Sequence, residues 1–255
     1  MDFFAPKIIA ACAFLAGATA TFGMQTQCSA SSGPLVTPVL ELYTSEGCSS
    51  CPPADQWASG FKGEDVVVQA FHVGYWDYIG WVDRFATPAH TTRQREVAVN
   101  NRLRNIYTPQ VVVNGRDLPQ WGNARSRITG TRPPATLHVA IKRLADDQFE
   151  ATVTPSAGTG AAQAWVAYWT VTEHGHSSRV KAGENAGEFL KHDFVVRQYT
   201  QAGTYQSGSM PQKLAFRSVT ATPGHERQIN LVLVEPRSGN TLQALSLQCG
   251  SGKAS

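Results

Sequence analysis

Charge is scarce in this chain: Asp, Glu, Lys and Arg make up 16% of 255 residues, and the net charge is only +3. There is no block of like charge. The densest basic stretch, Arg93 to Arg104, has the spacing of a solvated helix face rather than of a polybasic grip. A nucleic-acid partner is therefore not expected. Long apolar runs are missing too. The N-terminal run, Ile8 to Leu15, is too short to span a bilayer, so no stable membrane anchor is expected. No G-x-S-x-G, phosphate-loop or dinucleotide fingerprint occurs, which leaves those hydrolase and nucleotide chemistries without support. Cysteine is rare, with five residues. A C-x-x-C is present once, with no second pair to complete a four-ligand structural zinc site.

What is present describes an ordered, turn-rich protein: 42% hydrophobic residues with 22 Gly and 14 Pro. The first 20 residues resemble an export signal, with Lys7, the apolar Ile8 to Leu15 and the small-residue site Ala18–Thr19–Ala20; Asp2 weakens the charged region. The mature chain is then expected in the periplasm or outside the cell. Cys12 leaves with the signal. Cleavage after Ala20 keeps Cys28 and permits a bridge from Cys28 to Cys249, whereas cleavage after Ala30 leaves Cys249 single.

Val36 to Tyr43 has strand character, and Thr44 to Gly47 makes a turn into Cys48–Ser49–Ser50–Cys51. Pro52 and Pro53 suit the first turn of a helix through Phe61, and Val66 to His72 is a buried strand, giving a βαβ unit. An aromatic stretch, Tyr75 to Phe85, precedes a polar helix over Thr91 to Asn105. Val111 to Val113 with Asn114–Gly115 signals a hairpin, and Asn123 to Ile128 a short helix. After a Gly, Thr and Pro linker at 129–134 the period changes to alternation at Thr136–Ile141, Phe149–Thr154, Gln163–Val171, His192–Tyr199 and Gln228–Val234.

The dithiol is the chemical signal. Cys48 and Cys51 follow a strand and open a helix, where free amides and the helix dipole favour an anion. Cys48, nearer the turn, is expected exposed and nucleophilic, with Cys51 deeper as the resolving thiol. Glu46 works against a very low thiol pKa. Pro109, at the mouth of a strand, suggests a cis peptide with Thr108 beside the dithiol, and together they would shape a substrate groove. A structural disulfide, half of a zinc site and a copper-type thiolate site stay open as other uses of the pair.

The stretches Thr44-Ser45-Glu46-Gly47-Cys48-Ser49-Ser50-Cys51-Pro52-Pro53-Ala54-Asp55, Phe71 to Trp81 and Tyr107-Thr108-Pro109-Gln110 with Val113-Asn114-Gly115 resemble the bacterial secreted family of the domain of unknown function 1223 type. The resemblance runs from about Val39 to the C-terminus and is strongest before Gly130. Gly74 departs from an Asp usual in that family, a difference that touches the aromatic loop. It implies a thioredoxin-like fold with a β-rich C-terminal part, and export; it implies no substrate.

The expected architecture is an α/β thioredoxin-like N-terminal domain, residues 35–130, followed by an all-β sandwich-like C-terminal domain, residues 135–249. The expected function is thiol–disulfide exchange on a protein thiol or disulfide substrate, with the disulfide itself as redox cofactor and no organic one. The rivals are copper binding or delivery through Cys48, Cys51 and His72, and a non-catalytic binding module with a structural disulfide. His72 should sit on the carboxyl edge of the sheet, as proton relay to Cys51 or as ligand, or else as a hydrogen-bonded structural residue. Trp76, Asp77 and Trp81 wall a groove or pack a lid that Arg93 and Gln94 hold. His174, His176 and His192 are expected on the surface.

Overall fold

The computed structural model describes residues 1–2, 28–156, 163–206, 208 and 211–250. Apart from Met1 and Asp2, the expected export signal lies outside them. The N-terminal half builds β1 (Ser29–Ser31), β2 (Val39–Thr44), α1 (Pro52–Ser59), β3 (Val67–His72), α2 (Pro88–Asn100), β4 (Gln110–Val113), β5 (Arg116–Asp117) and α3 (Arg125–Thr129). Every residue of β2 and β3 is buried, as a strand covered on both faces requires. Period-two alternation sorts their side chains. Leu40, Leu42 and Val68 face α1 and α3, packing with Ala54, Ala58, Phe61 and Ile128. Tyr43 and Phe71 face the other way, onto Val97 of α2. The expected turn at Asn114–Gly115 joins β4 to β5, with φ of 50° and 80°. Gly115 is required there twice over, because a Cβ would lie 2.1 Å from the Gly239 carbonyl oxygen.

The remaining strands are β6 (Leu137–Ala145), β7 (Gln148–Pro155), β8 (Ala164–Glu173), β9 (His176–Arg179), β10 (Phe189–His192), β11 (Val195–Gln206), β12 (Gln212–Arg217), β13 (Arg227–Val234) and β14 (Thr241–Leu247). They do not form a separate body, and this overturns the expected fold class. One eight-stranded sheet runs β14-β13-β8-β11-β3-β2-β4-β5 through both halves of the chain. The protein is a mostly β structure of three sheets, not a thioredoxin-like α/β domain followed by a sandwich. The join lies at β11, which pairs parallel to β3 at Val195↔Ala70 while the Ala70 amide donates to the Phe194 carbonyl at 2.8 Å. Its physical reason is the free edge of β3: a fully buried strand cannot leave its amides unpaired. Alternation in the sequence marked a strand near Val195 but carries nothing about which sheet it enters.

The second sheet, β1-β6-β7-β12, lays Val139, Ile141, Phe149, Leu214 and Phe216 against Trp165, Trp169, Leu231 and Leu233 of the large sheet. Trp169 and Phe216 stack across this core with centroids 4.8 Å apart. A disulfide between Cys28 and Cys249 ties the two ends together, as one of the two cleavage alternatives allows. The third sheet is the β9–β10 hairpin, whose connecting loop, residues 180–188, reaches back to the cysteines.

Candidate functional site at the cysteine turn

β2 ends at Thr44, and the chain turns through Ser45 to Gly47 into Cys48. Cys48 N–H donates to the Ser45 carbonyl and Cys51 N–H to the Cys48 carbonyl, which coils the four-residue motif onto α1. Cys51 is the residue before the helix, and Pro52 and Pro53 fill its first two positions. Neither proline has an amide hydrogen. Stabilisation of a thiolate there thus falls to the helix dipole and to Ser50, whose Oγ lies 3.4 Å from Cys48 Sγ. The two cysteines are joined, with Cα atoms 5.4 Å apart.

The expected exposure of Cys48 is contradicted: Cys48 is 1% exposed and Cys51 0%, while Ser49 and Ser50 between them face solvent. The physical reason is the 180–188 loop, more than 130 residues away in sequence. Asn185 Nδ2 donates to the carbonyls of Glu46 and Cys48, at 2.8 and 3.0 Å. Glu184 accepts from the backbone and hydroxyl of Ser49, at 3.0 and 2.7 Å. These two side chains clamp the loop over the cysteine turn.

On the sheet side, β4 lies antiparallel to β2 with Tyr43 opposite Gln110, so Thr108 and Pro109 fall beside the end of β2. The Thr108–Pro109 bond is cis. Trp76 connects this segment to the cysteine turn. Its indole donates to Thr108 Oγ1 at 2.8 Å, and its Cβ is 3.0 Å from the place a Cβ on Gly47 would occupy. Gln94 donates to the Tyr107 carbonyl and to Gln110, so it positions the Thr108 segment. Arg93 instead holds Glu41 of β2, at 2.7 and 3.3 Å, and touches no residue of the aromatic lid in its polar contacts.

A buried acid–base group lies below. His72 ends β3 and its Nδ1 meets Asp83 Oδ2 at 2.7 Å. Its Nε2 has no hydrogen-bond partner among the described residues. Burial works to discharge His72, but the Asp83 charge and hydrogen bond overcome it and raise its pKa. Asp83 goes the other way, to about 2; burial opposes this, and the charge and hydrogen bond of His72 and the amides of Glu46 and Phe85 outweigh it. Asp55, one turn into α1, is pushed up by burial, against the pull of His192 and His72 and a hydrogen bond from Thr44.

Glu46 is fully buried, accepts from Trp81 at 2.7 Å and lies 3.2 Å from His192 Nε2. Burial raises its pKa, yet His192, Ser178 and Trp81 more than offset that and keep it ionised. The expectation of surface histidines fails. His174, His176 and His192 are 8%, 5% and 2% exposed: the β9–β10 hairpin folds against the aromatic stretch, where Phe85 contacts both His176 and His192, and His174 packs on Phe194. Among the described residues no group of three or more His, Cys, Asp and Glu side chains is arranged to hold a metal ion. The sequence carries no signal for Asp83, Glu184 or Asn185. It places His192 on the surface, and Asp55 appears in it only as the acid closing the Cys–Pro–Pro–Ala–Asp run.

A family model described as a protein of unknown function (DUF1223) matches residues 39–234. No curated protein matches the chain. A crystal structure of a protein from Agrobacterium tumefaciens is 24% identical, covers 85% of this chain and 96% of its own, and superposes with a TM-score of 0.63. HBP35 of Porphyromonas gingivalis is 12% identical, with 84% and 75% covered and a TM-score of 0.57. At these identities the likeness is one of fold.

Proposed function

The chain belongs to the DUF1223 family, and from that premise we propose that it is an exported, periplasmic thiol–disulfide exchange protein whose Cys48–Cys51 pair acts on a protein substrate when the 180–188 loop lifts. Its two disulfides suit an oxidising, extracytoplasmic compartment, and no helix among the described residues is long and apolar enough to cross a membrane. The observation that carries the reading is the nature of the cover. Two loop side chains hold the cover by hydrogen bonds: Asn185 donates to the Glu46 and Cys48 carbonyls, and Glu184 accepts from the Ser49 amide and hydroxyl. Such a closure can open without unfolding the sheet.

In the exchange a substrate thiolate attacks Cys48 Sγ. The Cys48–Cys51 bond breaks, a bond from Cys48 to the substrate sulfur forms, and Cys51 leaves as thiolate and takes a proton. Asp55, whose amide donates to the Cys51 carbonyl at 3.1 Å, is the buried acid nearest in the chain, and His72 with Asp83 adjoins it electrostatically. A second substrate thiolate then attacks the mixed disulfide, oxidising the substrate and leaving both cysteines reduced. The reverse sequence reduces a substrate disulfide. Thr108 and Trp76 border the turn where the substrate chain would lie.

The burial of Cys48 favours a second reading, a non-catalytic module whose disulfide is a staple. Cys51→Ser protein, exported in its host, separates the two. The exchange reading expects reductant-sensitive mixed disulfides through Cys48 and none from the double serine variant. Absence of adducts, together with no oxidation of a reduced dithiol peptide by the purified disulfide form, leaves the staple. Tight stoichiometric Cu(I) binding by the reduced protein, lost in Cys48→Ser and His72→Ala, would carry the copper-delivery reading instead.

A further inference from the structure

Phe85, whose ring contacts His72, also lines a cavity of about 400 Å³ that the exchange chemistry does not use. Its lining includes Arg84, Arg197, His176 and His225, and no carboxylate. Both guanidinium groups sit over the Phe85 ring, at 4.6 and 5.4 Å from its centroid. The two imidazoles stack face to face, centroids 3.9 Å apart and planes 12° off parallel.

One carboxylate, Glu173, offsets part of this charge, and Arg84 is left uncompensated among the described residues. Arg84 donates to a neutral group, the Ser177 carbonyl, at 2.8 Å. Arg197 approaches Glu173 at 3.3 Å, but that carboxylate is already occupied. Its Oε1 accepts from the Thr222 amide at 2.7 Å and its Oε2 meets His176 Nε2 at 2.9 Å. One buried carboxylate thus serves Arg197 and His176 together, and Arg84 has no acidic partner among the described ion pairs. His225 is oriented by its Nδ1, which donates to the His174 carbonyl at 2.7 Å and leaves Nε2 as its other polar atom.

We propose that this cavity binds a phosphate group carried on a small organic molecule. Guanidinium forks match the oxygens of a phosphate in pairs, and the stacked imidazoles form another wall of the cavity. The cavity is larger than a lone phosphate needs and falls in the size range of small-molecule sites. The site stands on β9, β11, the β12–β13 connection and the segment before α2, apart from the cysteines, so its success or failure is independent of the exchange reading.

Calorimetric titration of the full chain with inorganic phosphate, glycerol 3-phosphate and acetate tests the assignment. Saturable one-to-one binding of glycerol 3-phosphate is expected, tighter than inorganic phosphate, with acetate much weaker. Arg84→Gln and Arg197→Gln should each weaken it by about tenfold or more, as loss of a charge-assisted pair implies. Arg116→Gln, exposed on β5 at the far edge of the sheet, should leave it unchanged. Arg84→Gln touches no buried carboxylate, so it decides the matter if Arg197→Gln does not fold. No saturation below about 10 mM, equal affinity in Arg84→Gln, or acetate matching the phosphates overturns the proposal.

Discussion

Asn185→Ala should open the cysteine turn. The asparagine donates to the Glu46 and Cys48 carbonyls, and all three residues are buried. Removing it strands the Glu46 carbonyl while the loop is closed and leaves the Cys48 carbonyl with the Cys51 amide alone. At about 1 to 2 kcal/mol for the stranded acceptor and about 0.5 to 1 kcal/mol for the second bond, closure loses about 1.5 to 3 kcal/mol. If reduction of the disulfide requires the open loop, that becomes a roughly 10- to 160-fold faster reaction with a small dithiol reductant. The Cys28–Cys249 bridge, half-buried at the chain ends, serves as an internal clock. Alkylation at timed intervals followed by mass spectrometry of peptides resolves the two bridges. In the parent protein the terminal bridge should be reduced first and Cys48–Cys51 slowly. In the variant the gap should shrink or invert, while the terminal rate stays put. A Cys48–Cys51 rate within twofold of the parent would refute the clamp. So would a rate that climbs only as urea approaches the global unfolding midpoint, because opening would then be unfolding of the whole chain.

Arg93→Met strands Glu41 in the sheet with only the Tyr43 and Tyr168 hydroxyls, so urea denaturation should show a loss of about 3 to 5 kcal/mol. Adding Glu41→Leu removes the stranded charge and should recover much of that loss; a single variant costing under about 1 kcal/mol would mean the pair is not desolvated. His90 donates to the His72 carbonyl from a buried site, and its pKa falls to about 4, by burial first, with the hydrogen bond opposing and the His72 charge adding to the fall. The unfolded chain therefore binds a proton that the folded chain refuses, and stability should drop as pH falls from 6.5 towards 4, by up to about 3 kcal/mol. His72 acts with the opposite sign: its raised pKa makes its contribution largest below the unfolded value and lost as pH rises through the folded one. His90→Gln, which can still donate to the His72 carbonyl, should flatten the acid side of the stability curve measured between pH 7 and 4.5. Parallel curves would show that His90 protonates freely in the folded state.

The sequence alone determined the local βαβ unit, the C-x-x-C at the entrance of α1, the Asn114–Gly115 hairpin and the candidate partners of each cysteine. These follow from short-range physics: side-chain period, proline and glycine geometry, and the fixed reach of a few residues of backbone. Cys28 and Cys249, 221 residues apart, were legible only as one alternative, since pairing needed a count and not a contact.

Only the tertiary structure decided how the halves join and what guards the sulfur. β11 enters the large sheet because β3 has an edge to satisfy, and nothing in the alternation of Val195 to Gln206 names that edge. Asn185 covers Cys48 from 137 positions away, Glu184 carries no pattern, and His192 meets Glu46 only because the β9–β10 hairpin folds inward. Such contacts are selected by the closure of the whole chain, where loop entropy is overcome collectively, so no local window of residues contains them.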